Sequence, residues 1–300
     1  MGIYVEILIR GTIDEVWRLT QTPKLHERWD LRFSSIDYMP RPDTSRPQRF
    51  QYSTRIGFGI VVKGEGETSA VRYSPDGART SSLMFWSDDP KSLILTGSGY
   101  WRYEPVGGGV RFITGYDYKT RFGALGRAFD AIVFRPLLGW ATAWSFDRLR
   151  LWIEESAEPE GSLQRAVIYA IARVSVAFVF LYHGLVPKLV RFDQDEQHLM
   201  LAAGVASRFV PAVLRGVGIA EMTLGALLLL AWRARWLFAV TILLMVAAIG
   251  GVAITSPEYL VRAFNPVTLN ALVIALSAIG LLASRNVPTS RTCLRKKAGA

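Results

Sequence analysis

The chain has 300 residues, half of them apolar, and a formal net charge of +10, which allows two domains. The charge is uneven: residues 1–160 hold 21 Lys and Arg against 20 Asp and Glu, and residues 161–300 hold 14 against 5. A nucleic-acid binder gathers basic side chains on a soluble face; here they flank apolar stretches, where they set topology and meet anionic headgroups, so the expected partner is a lipid bilayer and not nucleic acid. Cys293 is the only cysteine, which excludes an intramolecular disulfide and a cysteine-based metal site and leaves a free thiol in a reducing compartment. The start, MGIYVEILIR, lacks the cationic region and long apolar run of a signal peptide.

Ile3–Arg10 alternates as a strand does, and Gly11-Thr12 breaks it. Thr12-Ile-Asp-Glu15 forms a capping box, which predicts a short helix from Ile13 to Thr20. Pro23 opens a second, reaching Trp29. From Phe33 to Tyr118 a run of strands is expected, parted by turn chemistry at Pro40-Arg-Pro42-Asp, Ser74-Pro-Asp-Gly77, Asp88-Asp-Pro90 and Gly107-Gly-Gly109. In the last strand Val110, Phe112, Thr114, Tyr116 and Tyr118 share one face, with Arg111, Asp117 and Lys119 on the other. Phe122 to Glu155 reads as a helix interrupted at Pro136. The expected fold is α+β: a curved antiparallel sheet around a long C-terminal helix, with an apolar cavity between them.

The segment IRGTIDEVWRLTQTPKLHERWD and this order of elements resemble the SRPBCC, or START-like, superfamily, which includes polyketide cyclases and lipid-transfer domains. The resemblance covers residues 1–157 and implies a helix-grip fold with a pocket for a lipophilic small molecule. It implies no single activity, because that fold hosts binding and catalysis alike. Trp86, Trp101, Phe112, Tyr116, Tyr118 and Phe134 are the candidate pocket-lining residues, and each is equally suited to ordinary core packing. His26 and Arg55 are the candidate polar contacts. No Ser/His/Asp or Cys/His constellation, phosphate loop or HxxxH spacing is visible, so no catalytic residue, metal or cofactor is assigned.

The acidic stretch Glu154–Ser162, which ends in Pro, Gly and Ser, marks a short linker, placed at residues 158–164. Leu- and Trp-rich Pro136–Ile153 is expected to pack on the sheet, its tryptophans free to rest on a membrane surface. Four membrane spans are then predicted at about 166–187, 211–232, 235–254 and 266–284, each near the length that crosses a bilayer, and a basic tail at 286–300. Arg165, Arg233, Arg235, Arg285, Arg291, Arg295, Lys296 and Lys297 would face one side, and Lys188, Arg191, Arg208 and Arg262 the other. That bias predicts a multi-pass protein of the cell's inner membrane, with cytoplasmic N- and C-termini.

LYHGLVPKLV at 181–190, Asp195-Glu196-Gln-His198, Gly216-Val-Gly218-Ile-Ala-Glu221 and Gly225 resemble the DoxX-like family of four-helix membrane proteins. The resemblance spans residues 165–285 and implies a four-helix bundle, linked in broad terms to membrane redox metabolism. Charged groups in hydrocarbon face a partner or a wet cavity, so Arg173, His183, Lys188, Glu196, His198, Glu221 and Asn270 form a candidate polar site, beside the plainer reading in which Lys188 snorkels and the histidines are structural. Glu196 and His198 are expected to fold over His183 and Lys188. Gly218 and Gly225 flank Glu221 on one helix face, where small residues admit a neighbouring helix. Arg173 and Glu221, about 12 and 16 Å deep, are expected to pair.

The resulting function is a membrane-anchored protein that binds a lipophilic small molecule in a cytoplasmic cup. Two alternatives stand beside it: an enzyme, with cyclase-like chemistry in the cup or quinone-linked redox chemistry in the bundle, and a scaffold with a fully packed aromatic interior. The ligand, any protein partner and the oligomeric state are not encoded legibly.

Overall fold

The computed structural model describes residues 2–41, 43 and 45–297. Pro42, one of the expected turn markers, lies outside them. The chain divides into two units, residues 1–163 with 288–300, and residues 164–287.

The first unit is α+β. Its strands are β1 (Ile3–Ile9), β2 (Ser35–Tyr38), β3 (Arg49–Gly57), β4 (Ile60–Tyr73), β5 (Arg79–Trp86), β6 (Ile94–Val106) and β7 (Gly109–Thr120), and its first helices are α1 (Ile13–Gln21) and α2 (Pro23–Trp29). All strand pairs are antiparallel, in the order β1-β7-β6-β5-β4-β3-β2. The capping threonine performs as its position dictates: Glu15 N donates to Thr12 Oγ1 at 3.2 Å.

Beyond β7 come α3 (Gly123–Phe129), a π-helical turn at Asp130–Phe134 and α4 (Arg135–Glu155). The predicted interruption therefore falls just before Pro136, which sits in the first turn of α4. Proline brings no amide and crowds the preceding turn, and the wider π turn accommodates it. The sheet grips α4: Phe146 stacks on Phe112 with centroids 4.4 Å apart, and Trp29 meets Phe146 edge-on at 6.1 Å. Val5, Ile9, Phe112, Ala143, Phe146 and Leu149 are wholly buried there.

Two sequence expectations need correction. The linker expected at 158–164 is helix from Pro159 onward, because α4 ends at Glu155, Ser156 turns left-handed with φ 50°, and α5 (Pro159–His183) begins at once. Arg28 fastens that start by ion pairs to Glu158 and Glu160, and Arg148 donates to the Pro159 carbonyl at 2.9 Å. The tail expected as a separate basic segment instead joins the first unit. Leu294 exchanges two 2.9 Å backbone hydrogen bonds with Glu6 on the edge strand β1. Asp147 accepts from Thr289 N and Thr292 Oγ1, both at 2.8 Å, and the Cys293 thiol donates to the Ala143 carbonyl. Burial pushes that thiol up to about 12, so it is inert.

The second unit is all helical. Among the described residues, four helices are long and apolar enough to cross a membrane: Pro159–Val190, Ser207–Leu230, Trp236–Thr255 and Pro266–Ala283. They comprise α5 with a π-helical extension at Gly184–Val190, α7 (Val210–Leu230), α8 (Trp236–Thr255) and α9 (Pro266–Ala283), and a short α6 (Gln194–Ala202) follows the first of them. Pro187 lies inside the π-helical extension rather than ending the span.

Candidate functional site

Within the first unit, Trp101, Phe112, Tyr116, Tyr118 and Phe134 belong to one aromatic core cluster. Phe112 is wholly enclosed, and Trp101 packs edge-on against it at 5.8 Å. Trp86 lies outside that cluster, on β5, under the Arg49 guanidinium. Arg55 is exposed near the tip of the β3–β4 hairpin.

Tyr118 is where the core meets solvent. It lines a cleft of about 700 Å³ with Lys119, Thr120, Arg127, Asp130, Ala131 and Arg135. Its hydroxyl donates to Asp130 Oδ1 at 2.6 Å, while Arg135 Nε donates to Asp130 Oδ2 at 2.9 Å and covers the Tyr118 ring at 4.7 Å. Burial raises the phenol far above its ordinary value, and the hydrogen bond to Asp130 raises it further. The cleft thus joins an apolar wall to a rim carrying Lys119, Arg127 and Arg135.

Sequence reasoning singled out His26 but missed its network. His26 Nε2 lies 2.9 Å from Asp30 Oδ2, one helical turn on, and Arg32 grips the same carboxylate through two nitrogens. The imidazole is sandwiched among Trp29, Phe33 and Trp101 at 4.8–5.1 Å. Burial pulls His26 below its ordinary value, with Asp30 offsetting only part of that. Burial alone would raise Asp30, yet the Arg32 charge and the hydrogen bonds from His26 and Arg32 hold it well below the carboxylate range.

Both groups are depressed in the folded state, so both stabilise it above their unfolded values and lose that contribution as pH falls. Loss through His26 begins below about pH 6.5, and through Asp30 below about pH 4. Tryptophan fluorescence of the full chain in detergent should change cooperatively on acidification through the first window. His26→Gln, which takes up no proton, should move the onset toward the carboxylate window. An unchanged onset in His26→Gln would remove His26 from the account.

In the membrane unit the predicted polar residues fall into separate groups. Lys188, buried in the π-helical extension, brings Nζ to 2.9 Å from Glu196 Oε1 and 3.1 Å from Glu221 Oε2. Asp193 caps α6 by accepting from Asp195 N and Glu196 N, which sets Glu196 over the lysine as expected. Glu221 arrives from α7 because the two backbones touch: a Cβ at Gly184 would stand 2.5 Å from the Gly218 carbonyl oxygen, and one at Gly218 would stand 2.8 Å from that of Gly184. The trio holds one formal positive charge against two negative.

The expected Arg173–Glu221 pair is therefore absent. Arg173 is wholly buried and donates to the carbonyls of Leu228 at 2.5 Å and Ala231 at 2.6 Å, and to the Tyr169 hydroxyl at 2.6 Å. It closes the C-terminal end of α7, whose last carbonyls have no partner within the helix. The Tyr169 hydroxyl in turn donates to the Trp232 carbonyl.

His198 lines a different hollow, about 260 Å³, with Asp195, Ala202, Ser256, Glu258, Tyr259 and Arg262. There Asp195 accepts from Tyr259 at 2.9 Å and pairs with Arg262 at 3.0 Å. His183 is half-buried beside the Tyr182 ring, and Asn270 is half-buried on α9. Among the described residues, no cluster of His, Cys, Asp and Glu is arranged to hold a metal ion.

Residues 177–278 match the DoxX-like family. An uncharacterized membrane protein of Bacillus subtilis (strain 168), YndG, is 48% identical over 183 residues, which is 61% of this chain and 68% of that protein. Solved structures similar to this chain include a STAR-related lipid transfer protein fragment from Xanthomonas axonopodis, 17% identical, covering 49% of this chain and 82% of that one with a TM-score of 0.37. The Zhui aromatase/cyclase from Streptomyces sp. R1128 is 10% identical, covers 53% and 98%, and has a TM-score of 0.39. The chain belongs to the family of the Bacillus subtilis membrane protein YndG, and its membrane unit is DoxX-like.

Proposed function

We propose that the protein is a membrane-anchored receptor for a lipophilic small molecule with an acidic group, bound in the cleft beside Tyr118. The observation that carries this reading is the cleft itself: about 700 Å³, walled by Tyr118 and Ala131 and rimmed by Lys119 and Arg127, with the Asp130 carboxylate engaged by Tyr118 and Arg135. Volumes of several hundred Å³ suit small-molecule ligands, and a few placed charges orient them. An acidic head would meet the cations while its apolar body lay along the tyrosine.

Orientation forms the second part of the proposal. Both chain ends belong to one folded unit, so both lie on one side of whatever membrane the bundle crosses, and four spans meet that requirement. The bias of positive charge assigns that side to the cytoplasm of the cell's inner membrane.

One set of measurements tests both parts. Reporter fusions at residues 200 and 300 should report opposite sides of the membrane. Mass spectrometry of the detergent-purified protein should find a lipophilic acid retained by the native chain and lost from Ala131→Trp, which fills the cleft from an exposed position. Identical small molecules on both proteins would overturn the receptor reading, and reporters on the same side would overturn the topology.

A further inference from the structure

We propose that one end of the first unit is a bilayer-docking surface, which dips its apolar tips into the headgroup layer of an anionic membrane. Two segments far apart in sequence build it. The first is the β3–β4 hairpin tip, where Gly57 and Gly59 take positive φ and leave Phe58 fully exposed between Ile56 and Ile60. The second is the helical run from Phe122 to Leu137, where Leu125 is 83% and Ile132 76% exposed, with Phe129 more than half exposed between them. Spacings of three and four residues set these side chains along one stripe.

Hydrogen bonds fix both segments at the same end of the sheet. Lys91 Nζ donates to the Val61 carbonyl at 2.8 Å, just beyond the hairpin tip, and Lys63 N donates to Asp89. Arg121 then ties that β5–β6 turn to the start of α3, donating to Leu93 O through its backbone and to Ser87 O through its guanidinium, both at 2.7 Å. Thus the hairpin, the turn and the helix form one end, and the cleft shares Arg127 and Ala131 with it.

Apolar side chains so far from any core mark an interaction surface, and the charge beside them names the partner. Arg55, Lys63, Lys91, Lys119 and Arg127 surround the tips and are exposed. Of the two acidic groups in the same turn, Asp88 is exposed, while Asp89 is turned inward onto the amides of Lys63 and Lys91 and pairs with the Lys91 ammonium, which leaves the basic groups in excess. Apolar tips within a basic ring match an anionic lipid surface, with hydrocarbon below and phosphate above. The first unit continues into the membrane unit through α5. This inference stands whether or not the cleft is filled.

The test uses the full chain in phosphatidylcholine vesicles containing a minority of phosphatidylglycerol, with some acyl chains brominated. Single cysteines at Phe58→Cys and Leu125→Cys, in a Cys293→Ser background, carry an environment-sensitive fluorophore. Pro75→Cys, in the β4–β5 turn at the opposite end of the sheet, is the control. Quenching by brominated lipid should be several-fold greater at 58 and 125 than at 75. Water-like emission at 58 and 125 overturns the proposal. So does blue-shifted emission without lipid quenching, which would mean that the helical bundle or a second copy of the chain covers the surface. Both positions are exposed, and circular dichroism matching the native chain shows that the labelled proteins are folded.

Discussion

Lys188→Met should destabilise the membrane unit by about 3–5 kcal/mol, the usual penalty for removing one partner of a buried ion pair. The lysine stands between Glu196 and Glu221, and without it two carboxylates face each other where little water reaches. Lost attraction and new repulsion act in the same direction. Thermal unfolding in detergent measures the effect, and the combination Lys188→Met, Glu196→Gln, Glu221→Gln should recover much of it. A change of about 0.5 kcal/mol, the size usual for a surface substitution, would show that the trio is solvated and not buried. Gly218→Leu should act through the same site, because no side chain fits between its backbone and that of Gly184.

Arg173→Met should also destabilise the membrane unit, by a different mechanism. Here the partners are the carbonyl oxygens of Leu228 and Ala231 and the Tyr169 hydroxyl; Ala231 O keeps the Ala234 amide and Tyr169 keeps the Trp232 carbonyl, so the Leu228 carbonyl is the buried acceptor left bare, at about 1–3 kcal/mol. Arg173→Lys should rescue little, since a single ammonium cannot span acceptors that a planar guanidinium reaches together. The clamp and the Lys188 trio share no residue, so Arg173→Met and Glu221→Gln should add independently. Non-additivity beyond about 1 kcal/mol would show coupling between the two sites. The readout is again unfolding in detergent, with hydrogen exchange at the α7–α8 turn as a local probe.

The difference between these two arginine and lysine sites explains what could be read in the sequence. Glu196 over Lys188 was legible because acid and base are both written as side chains; the Asp193 cap that fixes α6 and carries Glu196 into place was not read. The grip of sheet on α4 was legible through the alternation of β7 and the capping box at Thr12. Arg173 was not, because its partners are backbone oxygens, which every residue carries and none announces. Arg148 repeats the point in the first unit: buried, it donates to the carbonyls of Arg28, Trp29 and Pro159, and burial lowers it to about 10.

Acidic composition suggested a loose linker around Glu158 and Glu160. Their fixing depends on Arg28, remote in sequence, so composition pointed the wrong way. Likewise the tail's basic residues drew attention to charge, whereas Thr289, Thr292 and Cys293 make the contacts. Within the pocket, periodicity placed the aromatic residues on the right face of β7. It could not say which of them pack against α4 and which, like Tyr118, reach the cleft.

The return of the tail to β1 sets an order on biogenesis. In sequence terms the helical bundle is an insertion between two parts of one folded unit, so residues 288–297 join that unit only after the bundle has been made. Until Leu294 has been made, Glu6 on the outer edge of β1 lacks its backbone partner, the kind of open edge that invites wrong pairing, and Asp147 lacks Thr289 and Thr292. The four apolar helices precede Leu294, so the bridge to Glu6 forms only once they have been synthesised. A chain cut short after the last of them leaves Glu6 unbridged and Asp147 without its threonines, an opening that chaperones and proteases can read.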